Sequence, residues 1–560
     1  MASLIAQTPP AGYLCAMKLK QLLSWRFSLI FFHRWLGILV GLMFIIWTIS
    51  GVILMYYGIP HYTAGERLSR LPPLDLSTAT VTPQQALDTA ALKGKPFRLR
   101  ISMFDGHPAY RINSGQVFGS WTVVFADSGK IMKGLDATDV IYYLAKLYPE
   151  YTETMLYDNY LREPDMFTHS PALQNHMPLH VIDMDNGERY YVSEHSGEIV
   201  MHTTPLTKVL GVLGYNIHTL YFWRQQTWWT PFLHWISWIG LGMTVLGIVL
   251  GIWRFSSKPQ FIKRGVAYRT PYVHWWKWHH YAGLIFGVMM FTWMVSGLIS
   301  MSVVPGIDET LYTPDQIKGG ARTVQGFGAT VDYAPLTLAG IQNAVAKIGK
   351  DYAVKELELK VVNGQPYYET YRAPNDEELN HWISHSAMDF LTTNLEWEHR
   401  FISATDSEAQ PFKDFAEADL LQMAATAMPG QEYTELTWLN EADDYYYHTV
   451  DSFDLGLPRT VRSLPVLRLK YNDPAQTWLY LTPSQGQLIK AEVLDRRNRW
   501  GYYGLHGFDF AFLYKHRPLW DIIVLILLFG CIAMTVTTVV PAWDRLKKHY
   551  FRLLALLAGD

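Results

Sequence analysis

The chain is 560 residues long, with 49% hydrophobic and 14% aromatic residues, 21 tryptophans and a formal net charge of −3. A mean hydropathy of +0.01 is too apolar for an average soluble enzyme and too polar for a protein lying wholly in a membrane. A few spanning helices joined to sizeable water-exposed regions satisfy both. The near-neutral charge carries no nucleic-acid footprint, and with only Cys15 and Cys531 a disulfide framework or a thiolate-held iron–sulfur or zinc site is excluded.

Residues 1–57 read as a cytoplasmic N-terminus and a first span, roughly Ser28–Tyr57. Lys18, Lys20 and Arg26 precede it, no small-residue cleavage site is present, and Cys15 in GYLCAM lacks the apolar run of a lipoprotein signal. A retained signal anchor is expected. Residues 58–204 form a first outside domain: a helical pattern at TPQQALDTAALKGK (82–95), then alternating strands with turns at DGHPAYRI (105–112) and YYVSEHSGEIV (190–200). Residues 205–255 hold an interfacial segment, GYNIHTLYFW (214–223), and a second span, Trp229–Trp253.

The connector 256–277 is basic, and with Arg254 it contributes Lys258, Lys263, Arg264, Arg269 and Lys277 without any acid. A third span occupies 278–304. A second outside domain follows at 305–500, with TLAGIQNAVAKIGK (337–350), NGQPYYET (363–370) and LYLTPSQGQLI (479–489) repeating the first domain's elements. Segments 152–180 and 372–450 look like insertions, the latter ending in the aromatic and acidic EADDYYYH (441–448). Residues 501–541 comprise YGLHGFDFAF (503–512) and a fourth span, Leu519–Val540, and 542–560 form a tail with Arg545, Lys547 and Lys548. The positive-inside rule places the basic segments in the cytoplasm, so both termini are inside and both long loops outside. The fold class is an integral membrane α-helical protein of four duplicated spans carrying α+β domains on one face.

The duplication is legible in the spans. HRWLGILVGLMFIIWTISG (33–51) and HHYAGLIFGVMMFTWMVSG (279–297) align at a constant offset of 246 residues. The identities are His33/His279, Gly37/Gly283, Gly41/Gly287, Met43/Met289, Trp47/Trp293, Ser50/Ser296 and Gly51/Gly297. In the interfacial segments His218 aligns with His506. Every span therefore has a histidine near one end, His33 and His279 at the cytoplasmic ends and His218 and His506 outside. A single histidine at a helix end is commonly an interfacial residue, whereas two symmetry-related pairs suggest ligands.

Zinc or copper sites take three or four protein ligands, and no third is supplied consistently; haem iron needs only two axial ligands. With no CxxCH motif, haem would be held non-covalently, as two haem b. Gly37 and Gly41 lie four and eight residues after His33, and would admit either a porphyrin face or a close-packed helix. Arg496, Arg497, Arg499 and Arg224 are candidate propionate partners outside, as are Arg26, Arg34 and Lys277 inside; each also suits a membrane-surface anchor. His234 competes with His218 as a ligand and His280 with His279. His234 and Asp521, each three residues after a proline, are candidates for proton or quinol chemistry.

The sequence resembles the PepSY-associated transmembrane family, which includes inner-membrane ferric-siderophore reductases of Gram-negative bacteria. The resemblance rests on HRWLG (33–37) with TISG (48–51), HHYAG (279–283) with VSG (295–297), IHTL (217–220), LHGF (505–508), and the soluble TPQQALDTA, SEHSGEIV and TPSQGQLI. It implies two b-type haems near opposite membrane faces, the inner one on His33 and His279 and the outer one on His218 and His506. It also implies an oxidoreductase of the bacterial inner membrane, passing electrons from a quinol or cytoplasmic reductase to a ferric siderophore or other periplasmic acceptor. No GxGxxG follows a strand, so the donor would be a partner or a membrane quinol. The longer loops and the TVVPAW ending of the fourth span depart from the family pattern. Two rivals are a non-catalytic membrane protein whose loops bind or regulate a partner, and a transporter with His234 and Asp521 along its path.

Overall fold

The computed structural model describes residues 25–60, 62–92, 96, 98–114, 121–169, 171–301, 322–324, 334–378, 398–446, 463–516 and 518–558. Cys15, Lys18 and Lys20, the stretches 379–397 and 447–450 of the expected second insertion, and His448 at the end of EADDYYYH lie outside the described residues.

Among the described residues four helices are long and apolar enough to cross a membrane: TM1 (Trp25–Leu54), TM2 (Trp229–Arg254), TM3 (His274–Ser300) and TM4 (Leu519–Ala558). They form a closed ring in which each packs against the next and TM4 returns to TM1. The ring buries Val40, Phe44, Ile236, Met289, Met290, Met294, Cys531 and Met534. Hydroxyls inside the helices bond to their own backbone, Thr48 to the Phe44 carbonyl at 2.7 Å and Thr244 to that of Gly240 at 2.8 Å, so no polar group faces lipid unpaired at these positions.

TM4 differs from its expected end at Val540. Its helix is 40 residues long and runs through Pro541. Proline removes one N–H from the ladder, and the turn before it is reinforced by Thr537 and Thr538, whose hydroxyls donate to the Met534 and Thr535 carbonyls at 2.7 and 2.6 Å.

The first long loop carries β1 (Arg98–Phe104), β2 (His107–Asn113), β3 (Trp121–Phe125), β4 (Leu156–Leu161), β5 (Leu179–Asp183), β6 (Arg189–Ser193) and β7 (Ile199–Thr203). In the short connector β8 (Phe261–Lys263) and β9 (Val266–Tyr268) make a hairpin. The second long loop carries β10 (Arg322–Val324), β11 (Glu356–Val362), β12 (Gln365–Tyr371), β13 (His399–Ser403), β14 (Tyr433–Leu439), β15 (Val466–Tyr471), β16 (Trp478–Thr482) and β17 (Gln487–Ala491). Positive φ at Asp105–Gly106 and Asn363–Gly364 turns the β1–β2 and β11–β12 hairpins, as the Asp-Gly and Asn-Gly pairs predict.

The two loops are not independent. β1 pairs antiparallel with β11 (Arg100 opposite Glu358, Ser102 opposite Glu356), giving one six-stranded sheet of order β13-β12-β11-β1-β2-β3 that both loops share. Helices Pro83–Ala90 and Leu338–Ile348, each capped by a threonine (Thr82, Thr337), cover a common core with Ile101, Tyr110, Leu357 and Tyr368. Each loop then adds a sheet of its own, β4-β5-β6-β7 and β10-β17-β16-β15-β14. Segments 152–180 and 372–450 supply strands β4, β13 and β14 and helix Glu417–Ala427 to these sheets, so their described parts belong to the fold instead of decorating it.

The seam between the loops is charged and buried. Arg67 makes a two-point bond to Glu356 at 2.7 and 3.0 Å, Arg100 reaches Glu198 and Glu356 at 2.9 and 3.3 Å, and Arg98 meets Glu358 at 3.1 Å. Burial works to raise the Glu198 carboxyl, but Arg100, Arg111 and Arg67 outweigh it and hold the group well below the usual carboxylate range.

Candidate functional site: two histidine pairs

His33 of TM1 and His279 of TM3 face each other on the short-loop side, with ring centres 6.2 Å apart. Each Nδ1 bonds to a backbone carbonyl of the neighbouring helix, His33 to Met243 at 3.1 Å and His279 to Met534 at 3.0 Å. A carbonyl only accepts, so Nδ1 carries the proton and Nε2 keeps its lone pair.

On the long-loop side His218 and His506 stand on short helical turns that pack against TM1 and TM3, their ring centres 6.3 Å apart and their planes perpendicular. Here serines replace the carbonyls: Ser50 Oγ lies 2.9 Å from His218 Nδ1, and Ser296 Oγ 3.0 Å from His506 Nδ1. Each serine hydroxyl donates to its own helix, Ser50 to Ile46 and Ser296 to Trp293, so its oxygen is left to accept the Nδ1 proton. The indoles of Trp47 and Trp293 donate to the His218 and His506 carbonyls at 2.8 and 2.9 Å.

The repeat identities therefore converge on the histidines. His33/His279 supply one pair, while Trp47/Trp293 and Ser50/Ser296 orient the other. Their recurrence was visible in the sequence; their partners, on elements far along the chain, were not.

In both pairs Nδ1 is taken by its hydrogen-bond partner, which leaves the Nε2 lone pairs of two rings whose centres are 6.2 and 6.3 Å apart. Two acceptors cannot bond each other, so the arrangement calls for an electrophile between them. Imidazoles bonding one metal from opposite sides, at about 2.0 Å per bond, hold their ring centres about 6.3 Å apart. Among the described residues no group of three or more His, Cys, Asp or Glu is arranged around a metal position, so each pair offers two nitrogens and no more.

The short-loop pair opens into a cavity of about 380 Å³, lined by the predicted glycines Gly37, Gly41, Gly283 and Gly287. A methyl group at Gly37 or Gly41 would meet nothing within 4 Å. Of the two uses left open for these glycines, close helix packing is therefore not the one served at Gly37 and Gly41; they widen the cavity. Gly247 acts differently, since a methyl there would lie 2.7 Å from His33 Cε1 and displace the ring.

A sequence profile of the PepSY-associated TM region matches residues 31–545, which takes in both histidine pairs and both long loops. The chain belongs to this family. No curated protein matches it.

Within this PepSY-associated TM protein the other predicted site residues are placed as follows. His280 bonds the Gly251 carbonyl of TM2 through Nε2 at 2.9 Å and also lines the cavity. His234 sits in the first turns of TM2 near the Met301 backbone. Asp521 accepts the Tyr56 hydroxyl at 3.2 Å. Arg496 bonds the Gln476 and Ala491 carbonyls at 2.9 and 2.8 Å and stacks over Trp478, and Arg499 holds the Asp444 and Asp509 carbonyls. Both arginines thus brace the soluble region. Arg224 lies over Tyr221, three residues from His218. Arg34 lines the short-loop cavity together with Tyr272 and Arg545, two residues that sequence reasoning did not assign to a site.

Proposed function

We propose that the protein is a b-type di-haem oxidoreductase of the bacterial inner membrane, with His33 and His279 holding an inner haem and His218 and His506 an outer one. The observation that carries this reading is the spacing of the two pairs, 6.2 and 6.3 Å between ring centres, with every Nδ1 engaged elsewhere. The chain has no CxxCH motif, which favours non-covalent attachment. Bound haem would supply reversible one-electron chemistry, and two imidazoles per iron favour electron passage over oxygen activation.

The protein's part is to place the two sites. Ser50, which holds His218, stands 17 residues beyond His33 on the same helix, roughly 25 Å along its axis. By charge bias the short connector is cytoplasmic and the long loops are periplasmic. Electrons from a quinol or a cytoplasmic reductase would then reach a periplasmic acceptor, for which a ferric siderophore or other ferric chelate is the proposed substrate. Reducing Fe(III) weakens its hold on hard oxygen ligands and releases the metal.

The test is electron transfer across sealed proteoliposomes, with ferricyanide trapped inside and dithionite added outside. The reading expects ferricyanide to bleach well above the rate of protein-free vesicles, and His279→Ala and His218→Ala each to return it to that rate. Wild-type vesicles that bleach no faster than empty ones would contradict the reading and leave a loop-borne regulatory role.

A further inference from the structure

Arg34 of TM1 and Arg545 of TM4 line the same cavity as His33 and His279. Their guanidinium groups are close enough to repel one another, and neither makes an ion pair with a carboxylate among the described residues. Arg545 also lies 5.7 Å from the Trp276 ring centre, and the cavity wall beside the pair contributes the phenol of Tyr272. Two like charges held together beside an apolar, glycine-lined space favour an anion between them. The other cations expected at this face are engaged elsewhere: Arg26 lies over Trp25 and Trp253, and Lys277 over Tyr268 and Trp278.

An anion bound there would share the cavity with whatever sits between the two imidazoles. A haem b presents two carboxylates on one edge, one for each arginine, and planar guanidinium matches carboxylate oxygens well. Resting on the di-haem reading above, we propose that Arg34 and Arg545, with the Tyr272 hydroxyl, clamp the two carboxylates of the inner haem. The same oxygen chemistry is offered by the phosphate of a lipid headgroup at the membrane surface, and the test separates the two sources.

A carboxylate deprived of its arginine is left uncompensated beside the iron. It favours the more positive, oxidised state, so the midpoint potential of the inner haem falls. Being less stabilised as an anion, it also titrates closer to neutral pH, so that the midpoint becomes more pH-dependent.

The experiment is a spectroelectrochemical titration of full-length, detergent-purified protein at pH 6 and pH 8, with the inner haem identified by its loss in His33→Ala. Wild type is compared with Arg34→Gln, Arg545→Gln and Arg34→Lys. The expected result is a lowered inner midpoint with a steeper pH dependence in the two glutamine variants, an unchanged outer midpoint, and partial recovery in the lysine variant. Loss of the inner haem in Arg34→Gln with its return in Arg34→Lys supports the clamp equally. Inner midpoints that match wild type in all three variants overturn it, and a fall in co-purifying phospholipid in the same samples would assign the arginines to the headgroup. Wild-type protein without haem refutes the parent reading before any variant is compared.

Discussion

Ser50 and Ser296 have a role that their composition does not announce. Each accepts the Nδ1 proton of a histidine held in the long-loop pair. Ser50→Ala leaves the buried Nδ1–H of His218 unpaired, a loss of about 1–3 kcal/mol, and is expected to lower the occupancy of the outer haem while the inner one is retained, as read by haem content per chain. At the other pair Gly37→Leu fills open space, so the variant is expected to fold with a normal thermal midpoint and to lack the inner haem. A third residue-scale prediction concerns His202, which is buried against Tyr190 and lies 3.1 Å from Glu66 and 3.3 Å from Glu188. Burial works to lower its pKa, but Glu188 and Glu66 outweigh that and raise it to about 9. A raised histidine stabilises fully below its unfolded value of about 6.5, and that contribution, on the order of 2–3 kcal/mol, is lost as pH climbs through about 9. Glu66 and Glu188 are both depressed, so their share is present above the usual carboxylate value and is lost as pH falls through their lowered ones. The thermal unfolding midpoint of the loop region should therefore be highest near pH 5–6.5 and fall toward pH 9, and His202→Gln should flatten the alkaline limb.

Among the elements, the shared six-stranded sheet is the one that most changes how the loops are understood. Glu356 of β11 takes both Arg67 and Arg100, so Glu356→Ala leaves two buried guanidiniums short of a partner. The expected cost is about 3–5 kcal/mol, visible as a lowered unfolding midpoint in which both loops lose protection from proteolysis together. Proteolysis confined to the second loop would show that the seam does not couple them. The hairpins within each loop were legible because Asp105–Gly106 and Asn363–Gly364 are local signals with a fixed backbone consequence. The β1–β11 pairing was not, because strands more than 250 residues apart leave no local signature. Strand β4 was lost in an apparent insertion for a different reason: it is an edge strand with no buried residue, LYDNYL, without the alternation that marks a buried face. The apolar stretch of the fourth span ends at Val540, whereas the helix continues through Pro541 to Ala558.

For the whole molecule, the duplicated spans build a ring whose two ends each hold one pair of imidazoles, and both soluble halves stand on the same end. The histidines and cavity glycines were legible as a repeat. Trp47, Trp293, Ser50 and Ser296 were visible as identities without a role, since a hydrogen bond to a histidine on another element cannot be read from spacing. Arg545 was read only as a basic residue after a span, although TM4, continuing helically past Pro541, carries it to the cavity wall. Arg496 and Arg499, candidates by their proximity in sequence to His506, bond backbone carbonyls through Nη1 of Arg496 and through Nε and Nη2 of Arg499. The central claim is that two pairs of histidines hold two separate haems. Its most direct test is a pyridine haemochrome count, with reduced-minus-oxidised spectra, on full-length protein purified from haem-replete cells beside its His33→Ala and His218→Ala variants. The account predicts two haems b per chain in the wild type and one in each variant, with the remaining haem spectrally different between the two. A colourless wild type, or haem that survives both substitutions, would contradict it.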